Sequence, residues 1–401
     1  MISSNGTGKS EFFSAISKGI SGVKPISLFD TAGYKAKTAA EIRDFQPQQF
    51  LGSKGLRTLD RSTKLVNSAA KLALDDAGVV ISEDNTHSIG VAVGSTLGSV
   101  YSISEFDKDA LKEGPQYVNP ALFPNTVINS PASQVSIKFN IKGLNATIST
   151  GFSASLDAVK YAVDFLREGR VKMVLAAGVE ELCVQTFLGF YKTGFLAGTK
   201  DGSPEICCPF DKRRNGIILG EAGCVVIIED LESALGRGAH IYAEVSGYGR
   251  GFDGYRINKY NPKGRGLRAA MGSALESAGL DAGGIDYISS AANSTVEADA
   301  IESGAIKDIF GARKSEPLVS SIKSMTGECF SASGALQIAS ACGSIQDNIV
   351  PPTINYIEKD PACDLNYVVN DARGTAVNNV LINAFGPSGC NASLVISRFK
   401  A

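Results

Sequence analysis

Apolar side chains at Leu156, Val159, Val163 and Leu166 recur at the spacing of one face of an α-helix, and Ala146–Thr150 ahead of them has the composition of a buried strand. Gly169 stands where a helix C′ stop belongs, so residues 146–169 predict a strand, a tight turn and a long helix. The helix N-terminus points back at Phe152. Free backbone N–H groups and the positive end of the helix dipole converge at such a turn, where an enzyme would put a nucleophile whose pKa must fall. Here the tip carries a phenyl ring.

The same periodicities predict a short helix around Glu11–Ser17, a helix over 58–77 and a strand over 88–96. The segment 118–128 holds two prolines in an apolar run, which makes it a shaped loop that packs against something large and leads into a helix-like stretch at 129–137. Lys172–Gly178 is a continuous apolar strand of the doubly covered, parallel kind. A loop-rich span runs from there through Asn215. Strands follow at 223–229 and 241–248, then a helix at 265–278 stopped by Gly279, a strand at 287–292, and a block from Leu318 to Gly327 followed by a helix through Ala335–Ile345. That last block repeats the strand, glycine turn and small-residue helix of 146–169. An internal duplication is therefore expected, with halves at 1–235 and 236–401 forming one compact unit. Small residues on both helices imply two buried helices in close approach, at the centre of a layered α/β/α/β/α molecule.

With 401 residues, 44% of them hydrophobic, the chain can bury a large core, and its net charge of −2 offers no electrostatic case for nucleic acid or an anionic membrane surface. No apolar run is long enough to span a bilayer and the first residues lack a signal-peptide pattern, so a cytoplasmic protein is expected. The eight cysteines lie mostly in apolar segments, and the adjacent pair Cys207–Cys208 does not match zinc-site spacing; reduced, packed thiols and no metal or other cofactor are expected. His87 and His240, the only histidines, each precede an apolar run as strand-edge residues. Asn5–Ser10 imitates a phosphate loop, but Ser3 stands where its first glycine is needed and no hydrophobic strand precedes it.

Four segments carry a family resemblance: Pro209-Phe210-Asp211-Lys-Arg-Arg-Asn215-Gly216-Ile-Ile-Leu-Gly220-Glu221-Ala222-Gly223; Lys323-Ser324-Met325-Thr326-Gly327; Val350-Pro351-Pro352-Thr353-Ile-Asn355; and Asn383-Ala-Phe385-Gly386-Pro387-Ser388-Gly389-Cys390-Asn391. The chain resembles the β-ketoacyl synthases of the thiolase superfamily from near its start to Phe399. The resemblance implies the duplicated thiolase-like fold. It also implies a Cys-His-His chemistry in which a helix-terminal thiolate accepts an acyl chain from an acyl carrier protein while two histidines support decarboxylation and stabilise the enolate and oxyanion. Carried onto this sequence, the cysteine's position is Phe152, the first histidine's is Ala291 and the second's is Glu328. None of these side chains can play the family's part.

Lys323, Asp299 and Glu302 occupy retained family positions. The glutamate usual fourteen residues beyond the lysine is Gln337, which removes that partner charge, and Glu328 is expected to pair with Lys323 or a nearby backbone donor. The family's mobile gate has become Pro387-Ser388, which rigidifies it. The family's first strand, ahead of the position of Asn5, has no counterpart in the sequence. A ketosynthase scaffold without its active-site set is similar to the chain-length factor, the β-subunit of type II polyketide ketosynthase heterodimers, also expected in aryl-polyene assembly. On that reading the chain is not an enzyme on its own, its partners are an active ketosynthase α-subunit and an acyl carrier protein, and Leu122 and Phe123 are candidates for the tunnel and the subunit interface. An enzyme of altered chemistry, such as a decarboxylase, and a self-associating acyl-binding scaffold are the alternatives.

Overall fold

Two sheets that share no strand carry the fold in the computed structural model, which describes residues 1–200, 202–311 and 317–400. The first sheet runs, edge to edge, Asn145–Ile148, Ile89–Gly94, Met173–Glu180, Ala222–Glu229, Ile2–Ser3 and Gly6–Thr7. The second runs Leu318–Ser320, Tyr287–Ser289, Asn379–Phe385, Cys390–Ser397 and Glu244–Phe252. Strand directions correspond as well as order: in each sheet three parallel strands are followed by antiparallel ones. The duplication thus extends to topology.

That correspondence corrects the expectation of a missing first strand. Ile2–Ser3 pairs antiparallel with Ala222 and Gly223, in the place that Glu244–Phe252 takes beside Cys390–Ser397. Two residues do the pairing that eight do in the other half, too short a run for any periodicity to register.

The two long helices Ala154–Arg167 and Ser331–Asp347 lie between the sheets. The first touches strands 89–94, 173–180 and 390–397, and the second touches 173–180, 222–229 and 379–385. Helices Arg61–Asp76 and Ser130–Phe139 cover the outer face of the first sheet, and Arg265–Ala278 covers that of the second, so five layers alternate as the thiolase-like fold requires. Strands covered on both faces read as unbroken apolar runs, and all eight residues of Met173–Glu180 are buried. Two glycines allow the middle layer to close. A Cβ on Gly94 would lie 2.5 Å from the Ala154 carbonyl carbon, and one on Gly334 would lie 2.6 Å from Ser155 Oγ.

The predicted helix over 58–77 spans Arg61–Asp76, its start set by Asp60 accepting a hydrogen bond from the Thr63 N–H at 2.7 Å. The expected strand 241–248 lies further on, at Glu244–Phe252, and 287–292 is cut to Tyr287–Ser289 because the chain turns away toward Ser294, whose φ is +74°. The loop 118–128 holds a 3₁₀ turn, Pro120–Thr126. Helices Val100–Glu113, Val184–Lys192 and Val296–Phe310 and the hairpin 379–397 were not foreseen. The first of these has no buried residue, so no core face marks it in the pattern. Among the described residues no helix is long and apolar enough to cross a membrane, and all eight cysteines are free.

Candidate functional site

The N-termini of the two central helices converge, and each is headed by a phenylalanine. Phe152 sits in the turn Gly151–Ser153, where Gly151 takes φ +68°. Ser153 Oγ donates to the Thr150 carbonyl and to Asp157 Oδ2, both at 3.1 Å, and Thr150 and Tyr248 also donate hydroxyl hydrogen bonds to Asp157. The phenyl ring is 7% exposed and meets the Phe330 ring edge-on, centroids 5.1 Å apart. Phe330 in turn stacks on Phe190 at 4.9 Å. On the other side the Phe152 ring lies against Gly386, where a Cβ would come within 2.8 Å of it.

Glu328 is buried and fully bonded. Its Oε2 accepts from Lys323 Nζ and Asn293 Nδ2, both at 2.8 Å, and its Oε1 accepts from the Phe330 N–H and Ser333 Oγ, both at 2.9 Å. Lys323 therefore has a charge partner five residues along, while Gln337 turns its amide to the Ser289 and Ser290 carbonyls at 3.0 and 2.9 Å. Ala291 is buried, and its N–H donates to Glu302 Oε1 at 2.9 Å, an oxygen that also accepts from Asn383 Nδ2 at 3.0 Å. Burial pushes the Glu302 carboxyl up to about 7. Asp299 accepts from the Phe210 and Asn293 N–H groups at 2.9 and 3.0 Å and lies 3.9 Å from Arg214; burial raises its carboxyl to about 6 against those bonds. At 152, 291 and 328 the side chains supply a ring, a methyl and a saturated carboxylate. Cys329, the nearest thiol in sequence to Glu328, is held protonated, since burial and then the Glu328 charge push it well above its ordinary value.

Pro387 and Ser388 form the turn that closes over Phe152: the Gly389 N–H donates to the Gly386 carbonyl at 3.1 Å, and a Cβ on Gly151 would fall 2.7 Å from Ser388 Oγ. The outer side of this turn borders an open groove of about 490 Å³ lined by residues 252–258. Leu122 and Phe123 stand apart from these groups. Their turn packs on helices Val100–Glu113 and Ser130–Phe139, with the Phe123 ring 6.1 Å from that of Phe106. Phe123 is 57% exposed, in company with Tyr117, Leu111 and Ile137 at 73%, 88% and 71%.

Several residues of the site escaped the sequence reading. Asn293 has no pattern to betray it. Phe330 had one: Phe-Ser-Ala-Ser occurs at 152–155 and again at 330–333, marking equivalent helix starts in the two halves. Glu180 and Glu181 end the apolar run of strand 173–180. Glu180 accepts from Ser331 Oγ at 2.6 Å and from the Thr96 and Leu97 N–H groups, and burial lifts it to about 7. Glu181 accepts from the Ser62 N–H at 3.1 Å, and burial, reinforced by Asp60, raises it to about 8. A carboxyl whose folded pKa lies above its unfolded one stabilises fully only below the unfolded pKa, and that stability drains away as pH climbs through the folded value. Folding stability is thus expected to fall between about pH 5 and 8, and Glu181→Gln to flatten the fall, gaining on the order of 2 kcal/mol at pH 8 and little at pH 5. Denaturant titrations of both proteins at the two pH values check this.

A duplicated thiolase-like fold, with two corresponding sheets packed around two central helices whose starts converge, is the architecture of the β-ketoacyl synthases. The chain belongs to that family: residues 1–234 match the Beta-ketoacyl synthase, N-terminal domain, and residues 242–357 the Beta-ketoacyl synthase, C-terminal domain. It is 36% identical over 399 residues to the 3-oxoacyl-[acyl-carrier-protein] synthase 2 of Coxiella burnetii, covering 99% of this chain and 96% of that one. The protein of the same name from Synechocystis is 33% identical over 391 residues, covering 97% and 94%. Among solved structures, the ishigamide ketosynthase/chain length factor superposes with a TM-score of 0.91 at 34% identity, over 100% of this chain and 97% of that one. A type II PKS acyl-carrier protein in complex with its ketosynthase bound to the hexaketide gives 0.90 at 28% identity, over 99% and 97%. These relatives correct the expectation that the chain is not an enzyme on its own. Proteins 33–36% identical over nearly its whole length are named synthases, so it is classed with enzymes.

Proposed function

We propose that this chain is a β-ketoacyl synthase subunit of the chain-length-factor type. It works in carbon–carbon bond formation on acyl carrier protein as half of a heterodimer, opposite a ketosynthase subunit that bears the acyl-accepting cysteine, and its share of the interface shapes the tunnel in type II polyketide biosynthesis. The observation that carries this reading is Phe152: at the start of the central helix, where the family resemblance puts a thiolate, stands a ring wedged between Phe330 and Gly386. A second support is the exposure of Leu111, Tyr117, Phe123 and Ile137 on elements that pack on one another, of which helix Ser130–Phe139 touches the edge strand Asn145–Ile148; exposed apolar side chains of this kind are what obligate subunit contacts cover. The halves 1–235 and 236–401, the carrier protein as second partner and a cytoplasmic setting belong to the same proposal.

Co-expression with a cysteine-bearing ketosynthase from the same genome tests it. Native mass spectrometry is expected to give a one-to-one heterodimer in preference to homodimers of either chain. Separate homodimers recovered from every such co-expression would overturn the reading.

A further inference from the structure

Phe330 has φ +48° and ψ −118°, a backbone conformation that glycine adopts and a phenylalanine does not take unless its surroundings force it. The forces are visible. Its N–H is bound to Glu328 Oε1 at 2.9 Å, and the following N–H, of Ser331, is bound to Thr96 Oγ1 at 3.1 Å. Glu328 is itself immobilised by Lys323, Asn293 and Ser333. The ring thus held bridges Phe152 at 5.1 Å and Phe190 at 4.9 Å. The repeated Phe-Ser-Ala-Ser places the two rings at equivalent points of the two halves, so the duplicated scaffold brings them edge to face where its central helices meet.

From this geometry we infer that Phe152, Phe330 and Glu328 form one closing device, in which the carboxylate is a positioning residue for the Phe330 ring and the rings fill this chain's own acyl pocket. The exchanges at 152 and 328 are then coupled: the first supplies half of the plug and the second fastens the other half. Under the proposed function, which this inference deepens, a growing acyl chain finds room only at the subunit interface and on the partner's side. The plug itself does not depend on that reading.

The test uses benzene as probe on the full chain, in whatever oligomer it purifies. Removing a ring from a packed apolar site leaves a dry cavity close to the size of benzene, and a ligand that binds only the folded state raises its thermal midpoint. Wild-type protein is expected to show no saturable benzene shift. Phe152→Ala and Phe330→Gly are each expected to show one of about 2 °C or more; the glycine variant fits the existing backbone and keeps the test open if the alanine variant does not fold. Lys323→Met/Glu328→Ala, which frees the Phe330 N–H and strands no charge, is expected to gain the shift. Lys323→Met/Glu328→Gln, which keeps an acceptor for that N–H, is expected not to, and this difference separates positioning from general loosening. A saturable shift in the wild-type protein, or none in whichever ring variants fold, would overturn the plug, and equal behaviour of the two Glu328 variants would overturn the positioning role. None of these results depends on a partner subunit, so failure here is distinct from failure to form the heterodimer.

Discussion

Lys323→Met is expected to cost about 3–5 kcal/mol of folding stability, because it strands a buried carboxylate with no other charged partner in contact among the described residues. Lys323 and Glu328 are both almost wholly removed from solvent, and their 2.8 Å contact is the charge pair at this point of the core. Three neutral donors, Asn293, Ser333 and the Phe330 N–H, would remain on Glu328, enough to orient the group but not to neutralise it. Methionine matches the lysine stem in length, so packing loss is small and the deficit is electrostatic. The double variant Lys323→Met/Glu328→Gln is expected to recover most of the loss, since it buries no charge. Urea midpoints for the wild type and both variants decide the matter. A single variant within about 1 kcal/mol of wild type would mean that solvent reaches the pair.

In the heterodimer, Leu122→Trp is expected to shorten the product and Leu122→Ala to lengthen it or broaden its distribution. Asn119 caps the turn Pro120–Thr126 by accepting the Ala121 N–H at 3.0 Å, and Phe123 buttresses it against Phe106, so the half-buried Leu122 is held on a rigid ledge beside the exposed Phe123. A growing chain that meets such a wall end-on must overlap it to extend. Overpacking costs about 1–3 kcal/mol, enough to bias termination by roughly 5- to 150-fold. Acylation of the partner's cysteine is expected to change little. Product mass spectra from the two reconstituted variants check this, and unchanged lengths at intact heterodimer would take Leu122 out of the tunnel.

Elements that face the core were legible in the sequence. The helix 265–278 spans Arg265–Ala278 in the structure, and the turn and helix after Ile148 lie where Leu156, Val159 and Gly169 put them, whereas the strand read as buried, Asn145–Ile148, stands at the sheet edge with none of its residues fully buried. Helix Val100–Glu113 was hidden because nothing in it is buried, and Ile2–Ser3 because two residues have no period. At the site, motif spacing led to positions 152, 291 and 328 but not to what holds them. Asn293 acts through one amide donated across 35 residues, a contact no local pattern encodes. Phe330 was open to detection through the repeated tetrapeptide, since a duplication that preserves topology also preserves which residues meet at its centre.

The most direct test of the account gives the co-purified heterodimer an acyl carrier protein charged with an acyl chain that ends in a photoreactive diazirine, irradiates it, and maps both adducts by peptide mass spectrometry. The expected result is a thioester on the partner subunit's cysteine and a photoadduct on this chain within 118–128. An acyl group or photoadduct on this chain at 150–156, or photoadducts confined to the partner, would contradict it.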